Sequence, residues 1–165
     1  MTRQFFGVYR GKVEQNLDPM LRGRVQVSVP KVLGDGRLAW AEPCVPYAGN
    51  GVGGFNLPPV GAAAWVAFEG GNPDYPVLLG CYWQIGESPA PGLPQQRVFQ
   101  SDSVSVTVSD LPMVGGLTIE VGPPAVLIPL KVVLGPGGIE LSTGATKVVL
   151  DGVRVSVNDG ALEVM

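Results

Sequence analysis

No helix of ordinary length fits between the interruptions in this chain. Of its 165 residues 24 are glycine and 16 are proline, nearly a quarter of the total. Glycine costs a helix interior about 1 kcal/mol against alanine and proline about 3 kcal/mol, so breaks this dense end helices before they gain length. The spacing has no collagen period, and 45% of the residues are apolar, enough to build a core and to exclude disorder as the main state. A β-protein of short strands and frequent turns remains.

There is no histidine. That removes histidine triads, histidine-ligated zinc and imidazole proton shuttles together. Eleven basic and fourteen acidic groups leave a charge of −3, without the basic excess that phosphate-backbone binding draws on. Two cysteines, Cys44 and Cys81, lack metal-motif spacing and are expected as small buried residues in a reducing compartment. The longest compact apolar run, Ala62 to Phe68, is far short of the roughly 20 residues that span a bilayer. The stretch Met1 to Gly7 has no extended apolar run or processing site, so no signal peptide is expected.

The chain divides by grammar into residues 1–87, a connector 88–98 and residues 99–165. The first part holds every Trp and Tyr, four of the five Phe, and seven groups of each charge. Five strand-like runs alternate there: Phe5 to Glu14, Gly23 to Val29, Leu38 to Val45, Gly61 to Glu69 and Tyr75 to Trp83. Val25, Val27 and Val29 take one face of their run, and Arg24, Gln26 and Ser28 take the other. Five strands without helices suggest a closed or partly closed barrel, since closure removes sheet edges; its aromatics suit a small core. Gly86 to Pro94 then carries three prolines and two glycines, a semi-rigid spacer.

After Glu87 there are seven acidic groups against four basic ones, and a single aromatic, Phe99. Val104, Val106 and Val108 alternate with Ser and Thr, and Val153, Val155 and Val157 alternate with Arg154 and Ser156. Gly144, Gly152 and Gly160 recur every eight residues, the last two behind Asp151 and Asp159. A turn every eight residues with a short valine strand between is the pattern of a β-solenoid or β-prism rung. Such strands alone leave open edges and an exposed apolar face. Symmetric association completes them, most simply as three copies about one axis with Val153, Val155 and Val157 at the trimer core; a dimer or a different partner would leave the same pattern.

Other constellations have plainer explanations. Gly49-Asn50-Gly51-Val52-Gly53-Gly54 spells a dinucleotide fingerprint, but Phe55 to Pro59 cannot start the helix it needs, so a barrel loop is expected. Glu42, Glu69 and Asp74 carry no cleft-like spacing, and Ser101, Ser103 and Ser105 have no base to activate them. Arg22, Arg24, Lys31 and Arg37 near Trp40, Tyr47 and Phe55 form a modest basic–aromatic cluster, weak for single-strand binding at balanced charge. Asp151 and Asp159 are explained by turns rather than calcium, because the longer repeat that calcium-binding β-rolls carry is missing.

The first part resembles the OB-fold domain of the central spike proteins of contractile tails, the phage baseplate assembly protein V and the VgrG proteins of type VI secretion. Gly11-Lys12-Val13 opens the likeness. Leu21 to Val27 with Pro30, Ala39-Trp40-Ala41 with Pro43, the loop Ala48 to Gly54 and Pro59-Val60-Gly61 follow in family order. Val66 to Gly80 is its most specific piece. The last part resembles that family's needle, an intertwined trimeric β-helix with an eight-residue repeat, although residues 99–143 depart from the repeat.

The resemblance implies an all-β protein: a five-stranded OB-fold barrel followed by an intertwined trimeric β-helix or β-prism. It implies a non-enzymatic spike with no cofactor and no bound metal, a homotrimer that docks on a hub protein of the tail tube and pierces the target envelope. Lys31, Arg37, Gly49, Gly51, Gly53 and Phe55 are the expected hub contacts. Without histidine a metal-bearing tip is not expected, so Val164 and Met165 end the needle bluntly or seat a separate PAAR-like tip protein. Assembly in the cytoplasm into a virion or injection particle follows from the same likeness, with a phage tail or extracellular particle favoured over type VI secretion. The alternative is an OB-fold module binding oligonucleotides or glycans, with an oligomerisation tail.

Overall fold

The computed structural model describes residues 3–90 and 92–165. Met1 and Thr2, in the expected barrel segment, and Pro91, in the expected connector, lie outside the described residues. The chain forms two compact units, Met1–Glu87 and Ser88–Met165.

In the first unit β1 (Tyr9–Gln15), β2 (Val25–Ser28), β3 (Leu38–Pro43), β6 (Ala63–Phe68) and β7 (Pro76–Cys81) close a barrel in the order β1-β2-β3-β7-β6. Neighbours run antiparallel except β3 and β7, which pair in parallel through Glu42–Val77 and Pro43–Leu78. The two-residue strands β4 (Ala48–Gly49) and β5 (Val52–Gly53) form a hairpin outside the barrel. All five runs read from alternation appear; the first starts later, at Tyr9, and ends one residue further on, at Gln15, and the other four are shortened.

Val25, Val27 and Val29 are fully buried, as their alternation requires. They pack with Val13, Ala41, Ala64 and Val66, and Phe68 and Leu78 fill the ends. The core is therefore mostly valine and alanine, and its aromatics are Phe68 with Phe5 and Tyr9 packed against it, not Tyr47 and Phe55. Phe68 is the buried aromatic, whereas Tyr47, Phe55 and Trp83 are exposed. Short inward side chains suit a barrel this narrow. Pro30–Leu33 forms a one-turn helix α1: Pro30 supplies a helical φ at the first position and Leu33 is driven into the core. Among the described residues no helix is long and apolar enough to cross a membrane.

The cysteine expectation is corrected as well: Cys44 and Cys81 are unpaired and exposed. Cys44 lies just beyond β3 and Cys81 ends β7, each three residues past the last buried residue of its strand, Ala41 and Leu78. Partial burial still pushes the Cys81 thiol up from its ordinary value.

The second unit is one antiparallel meander of eight strands. They are β8 (Gln96–Gln100), β9 (Val104–Ser109), β10 (Gly116–Val121), β11 (Leu130–Gly135), β12 (Gly138–Thr143), β13 (Thr146–Leu150), β14 (Val155–Val157) and β15 (Leu162–Val164). β8 begins inside the stretch read as connector. The eight-residue period is real but has a different meaning within one chain: the turns at 136–137, 144–145, 151–154 and 158–161 reverse the strand instead of advancing a solenoid coil. The loops 110–115 and 122–129 are longer, which is why the period fails upstream. Asp151 Oδ1 accepts the N–H groups of Val153 and Arg154, the turn-forming role expected of it.

Candidate self-association face and barrel surface

Register turns the alternation of the second unit into a surface. Residues directly opposite in neighbouring strands share a face, and so do residues two apart along a strand. One row therefore runs Phe99, Val106, Ile119, Val132, Leu141, Val148, Val157 and Leu162 across all eight strands. A second runs from Val108 through Leu117, Leu134, Ile139, Leu150 and Val155 to Val164. A third, shorter row begins with Val104, Val121 and Leu130. The face so formed is apolar from one end of the meander to the other.

None of it is buried. Every described residue of this unit is intermediate or exposed, and Leu141 and Leu162 keep 48% and 60% of their surface. A face this large left in water is an association site, because monomeric proteins rarely expose contiguous apolar patches beyond a few hundred Å².

The opposite face carries Ser105, Glu120, Lys131, Glu140, Ser142, Lys147, Ser156 and Glu163. Lys147 Nζ lies 2.6 Å from Asp159, and Arg154 lies 2.8 Å from Glu163 and 3.6 Å from Asp151. The Asp159 carboxylate beside Lys147 pushes its ammonium pKa up. The two turn amides of Val153 and Arg154 hold Asp151 below its ordinary value. Charges gathered on one face, with none in the apolar rows beyond β8, define which side meets water.

Of the residues expected at the trimer core, Val155 and Val157 stand in the apolar rows. Val153 does not: it lies in the turn 151–154, 79% exposed, because the strand begins only at Val155. Val164, expected at the tip, faces Val155 across the β14–β15 pair and belongs to the same row. Met165 follows it, 95% exposed.

On the barrel the expected docking residues fall into two clefts. Gly49, Gly51, Gly53 and Phe55 line one, with Leu21, Arg22 and Tyr47. Arg37 lines the other, where Glu42, Glu69 and Asp74 do come together after all, among Arg22 and Arg24. Arg22 borders both and is held 2.8 Å from Glu42. Lys31 stands exposed on α1.

Sequence reasoning missed Leu21, which projects from the rim of the first cleft, 87% exposed, with φ +54°. A left-handed conformation costs a non-glycine residue about 1–2 kcal/mol, so something must hold it. The holder is Asp18. Its carbonyl accepts the Leu21 N–H at 3.0 Å, and its carboxylate accepts the N–H groups of Met20, Arg22 and Arg24. Arg24 donates to both carboxylate oxygens, at 2.8 and 3.1 Å, while its guanidinium lies over the Trp40 ring. The Arg24 guanidinium, with those three amides against the cost of burial, holds the Asp18 carboxyl well below the usual carboxylate range. The legible signal was Asp18-Pro19 followed by two apolar residues, Met20 and Leu21, inside a turn. Phe55 covers Gly23, where a Cβ would stand 3.0 Å from its ring.

Among the described residues no group of three or more acidic or cysteine side chains is placed to hold a metal ion. No curated protein shows a significant match to the chain. Residues 9–83 match the family described as the type VI secretion system/phage-baseplate injector OB domain, and residues 96–163 match the phage baseplate V C-terminal trimerisation domain. The two matches follow in order and coincide with the closed barrel and the eight-stranded meander. With a closed OB barrel followed by an apolar sheet left unburied in the single chain, this chain belongs to the baseplate V family of structural baseplate and spike proteins, and its C-terminal unit is a trimerisation domain.

Proposed function

We propose that three copies of this chain form the central spike of a contractile injection apparatus, a non-enzymatic part whose needle leads through the target envelope while its barrels dock on a hub protein. The observation that carries this reading is the apolar face of the second unit, continuous over eight strands and unburied in the single chain.

Size supports three copies. A six-residue strand is about 20 Å long. Three sheets with their strands laid along the sides of an equilateral prism stand about 6 Å from its axis, close to half the ~10 Å spacing of packed sheets. The apolar rows then meet on the axis and the charged face turns outward. Driving such a prism point-first loads many ladder hydrogen bonds and one shared core together.

On the barrel, the cleft of Gly49, Gly51, Gly53 and Phe55, with Leu21 and Tyr47 at its edge, is the proposed hub contact, with Arg37 of the second cleft and Lys31 of α1 as further contacts. On the last strand of the meander, Val164, Met165 and the outer edge of β15 form the proposed seat for a tip protein. The alternative, an oligonucleotide- or glycan-binding barrel, has the exposed Tyr47 and Phe55 in its favour. Against it, Arg22 and Arg24 are already neutralised by Glu42 and Asp18.

The test is light scattering coupled to size exclusion, followed by imaging of particles assembled with and without this chain. A solution mass three times the 17.2 kDa chain is expected, together with central density at the end of the tube that disappears when the chain is omitted. A stable monomer, or particles with unchanged central density, would overturn the reading.

A further inference from the structure

Two loops of the meander break its economy. The turns from 136 onward span two to four residues, but β9 and β10 are joined by Asp110–Gly115, and β10 and β11 by Gly122–Pro129. Both loops are apolar at their tips. Met113 and Val114 are 90% and 74% exposed, and Leu127 and Ile128 are 97% and 59% exposed.

Neither loop is loose. Val114 and Gly115 donate their N–H groups to the Leu111 carbonyl. Gly122 donates to the Ser103 carbonyl, Ala125 to Ser103 Oγ, and the Pro129 carbonyl accepts from Gly144, so the second loop is tied to turns on both sides. Beside the first loop lies a recess of about 120 Å³ between Val114, Thr118, Val133 and Pro136, of a size for one aliphatic side chain; Thr118 and Val133 share the face of Glu140, so it opens on the outward side of the sheet, where a loop reaching round a corner from the next copy would enter. Strongly exposed leucine and methionine on pinned loops call for a partner.

The loops flank the same strand at its opposite ends: residue 115 precedes β10 and residue 122 follows it. Within one chain they are therefore separated by the length of β10, about 20 Å, and cannot meet. A closed threefold assembly changes that. Rotation about the axis carries one end of each sheet to the other end of the next at unchanged height, so every corner is a head-to-tail contact between different loops.

We propose that each corner of the trimer is closed by a latch, in which Leu127 and Ile128 of one copy pack against Met113 and Val114 of the next, with Leu127 entering the recess beside Val114. The occupant of this surface is a second copy of the chain. The latch rests on the threefold prism of the proposed function and adds its register: at unchanged height the two loops lie one strand spacing, about 5 Å, apart along the axis, close enough for their side chains to meet obliquely across the corner and to oppose slippage of one sheet along another. The longer loops that interrupt the eight-residue period thus acquire a use.

Cysteine cross-linking tests it. In a background with Cys44→Ser and Cys81→Ser, Val114→Cys and Leu127→Cys are introduced singly and together, and each protein is oxidised with copper phenanthroline. The double variant should run as a covalent trimer on a non-reducing denaturing gel, and either single variant as a monomer. A disulfide within one chain is excluded by distance, since its Cα atoms must lie within about 7 Å. A double variant that is trimeric by light scattering yet stays monomeric on the gel would overturn the latch and leave the trimer standing. A monomeric parent would overturn both. As a second reading, Leu127→Ser in the otherwise unaltered chain should raise the concentration at which the trimer dissociates at least tenfold; an unchanged dissociation curve would also overturn the latch.

Discussion

Val155 stands directly opposite Val164 in the β14–β15 pair, in the same row as Leu150, Ile139 and Leu134. Residues near the end of the chain and residues of the sheet interior thus belong to one association face, and a charge placed on it should act by position.

Leu141→Asp, in the middle of the longest row, should leave no trimer at micromolar concentration. Each buried leucine contributes about 1.5–3 kcal/mol, the loss recurs in every copy, and like charges meet at the axis. Val155→Asp should block assembly in the same way. Val164→Asp sits on the final strand, where fraying moves the charge toward water, and should raise the dissociation midpoint only about tenfold, near 1.4 kcal/mol. Sedimentation of the three variants over a dilution series reads the order. Equal effects, or an intact V155D trimer, would contradict the inward assignment of this face.

Asp18 ties the barrel's stability to acid. Its folded carboxyl lies well below the unfolded value of about 3.9, so between the two values the unfolded chain binds the extra proton and stability rises with pH. The contribution is complete above the unfolded value and disappears as the pH falls through the folded one. Asp18→Asn should lower the barrel melting temperature by on the order of 5–10 °C at pH 6, with the gap closing below about pH 4. Melts followed by tryptophan fluorescence measure it, and a gap independent of pH would refute the assignment.

Leu21 separates strain from contact. Leu21→Gly relieves about 1–2 kcal/mol of left-handed strain but gives the unfolded chain extra entropy worth about 0.5–1 kcal/mol, so its stability should stay within about 1 kcal/mol of the parent. Hub binding should weaken in the same variant, because the exposed side chain is gone. Denaturant titration and a pull-down with hub protein read the two effects. Unchanged binding would remove Leu21 from the docking surface.

Gly138 opens β12, where φ is +111° and a Cβ would stand 2.0 Å from the Leu150 carbonyl oxygen. Gly138→Ala should therefore break the β12–β13 pairing and abolish the trimer. The barrel, a separate compact unit, should melt at its usual temperature. Calorimetry with two resolved transitions would check this, and loss of both together would argue against independent units.

Much of this molecule was legible in order of residue alone. Alternation placed Val25, Val27 and Val29 in the core and Val155 and Val157 on the apolar face, because the side-chain period of a strand is a local property. The glycine and proline density excluded long helices, and the family likeness ran through both units in order. Partnership was not legible. The parallel pairing of β3 with β7, the turn that takes Val153 off its strand, the exposure of Cys44 and Cys81, and the Asp18 network that presents Leu21 all depend on contacts between distant segments. So does the reading of the eight-residue period as a reversing meander, because a turn's spacing along the chain is the same whether the next strand advances or comes back. Which strand lies beside which is decided only when non-local pairing closes, and that closure belongs to the tertiary structure.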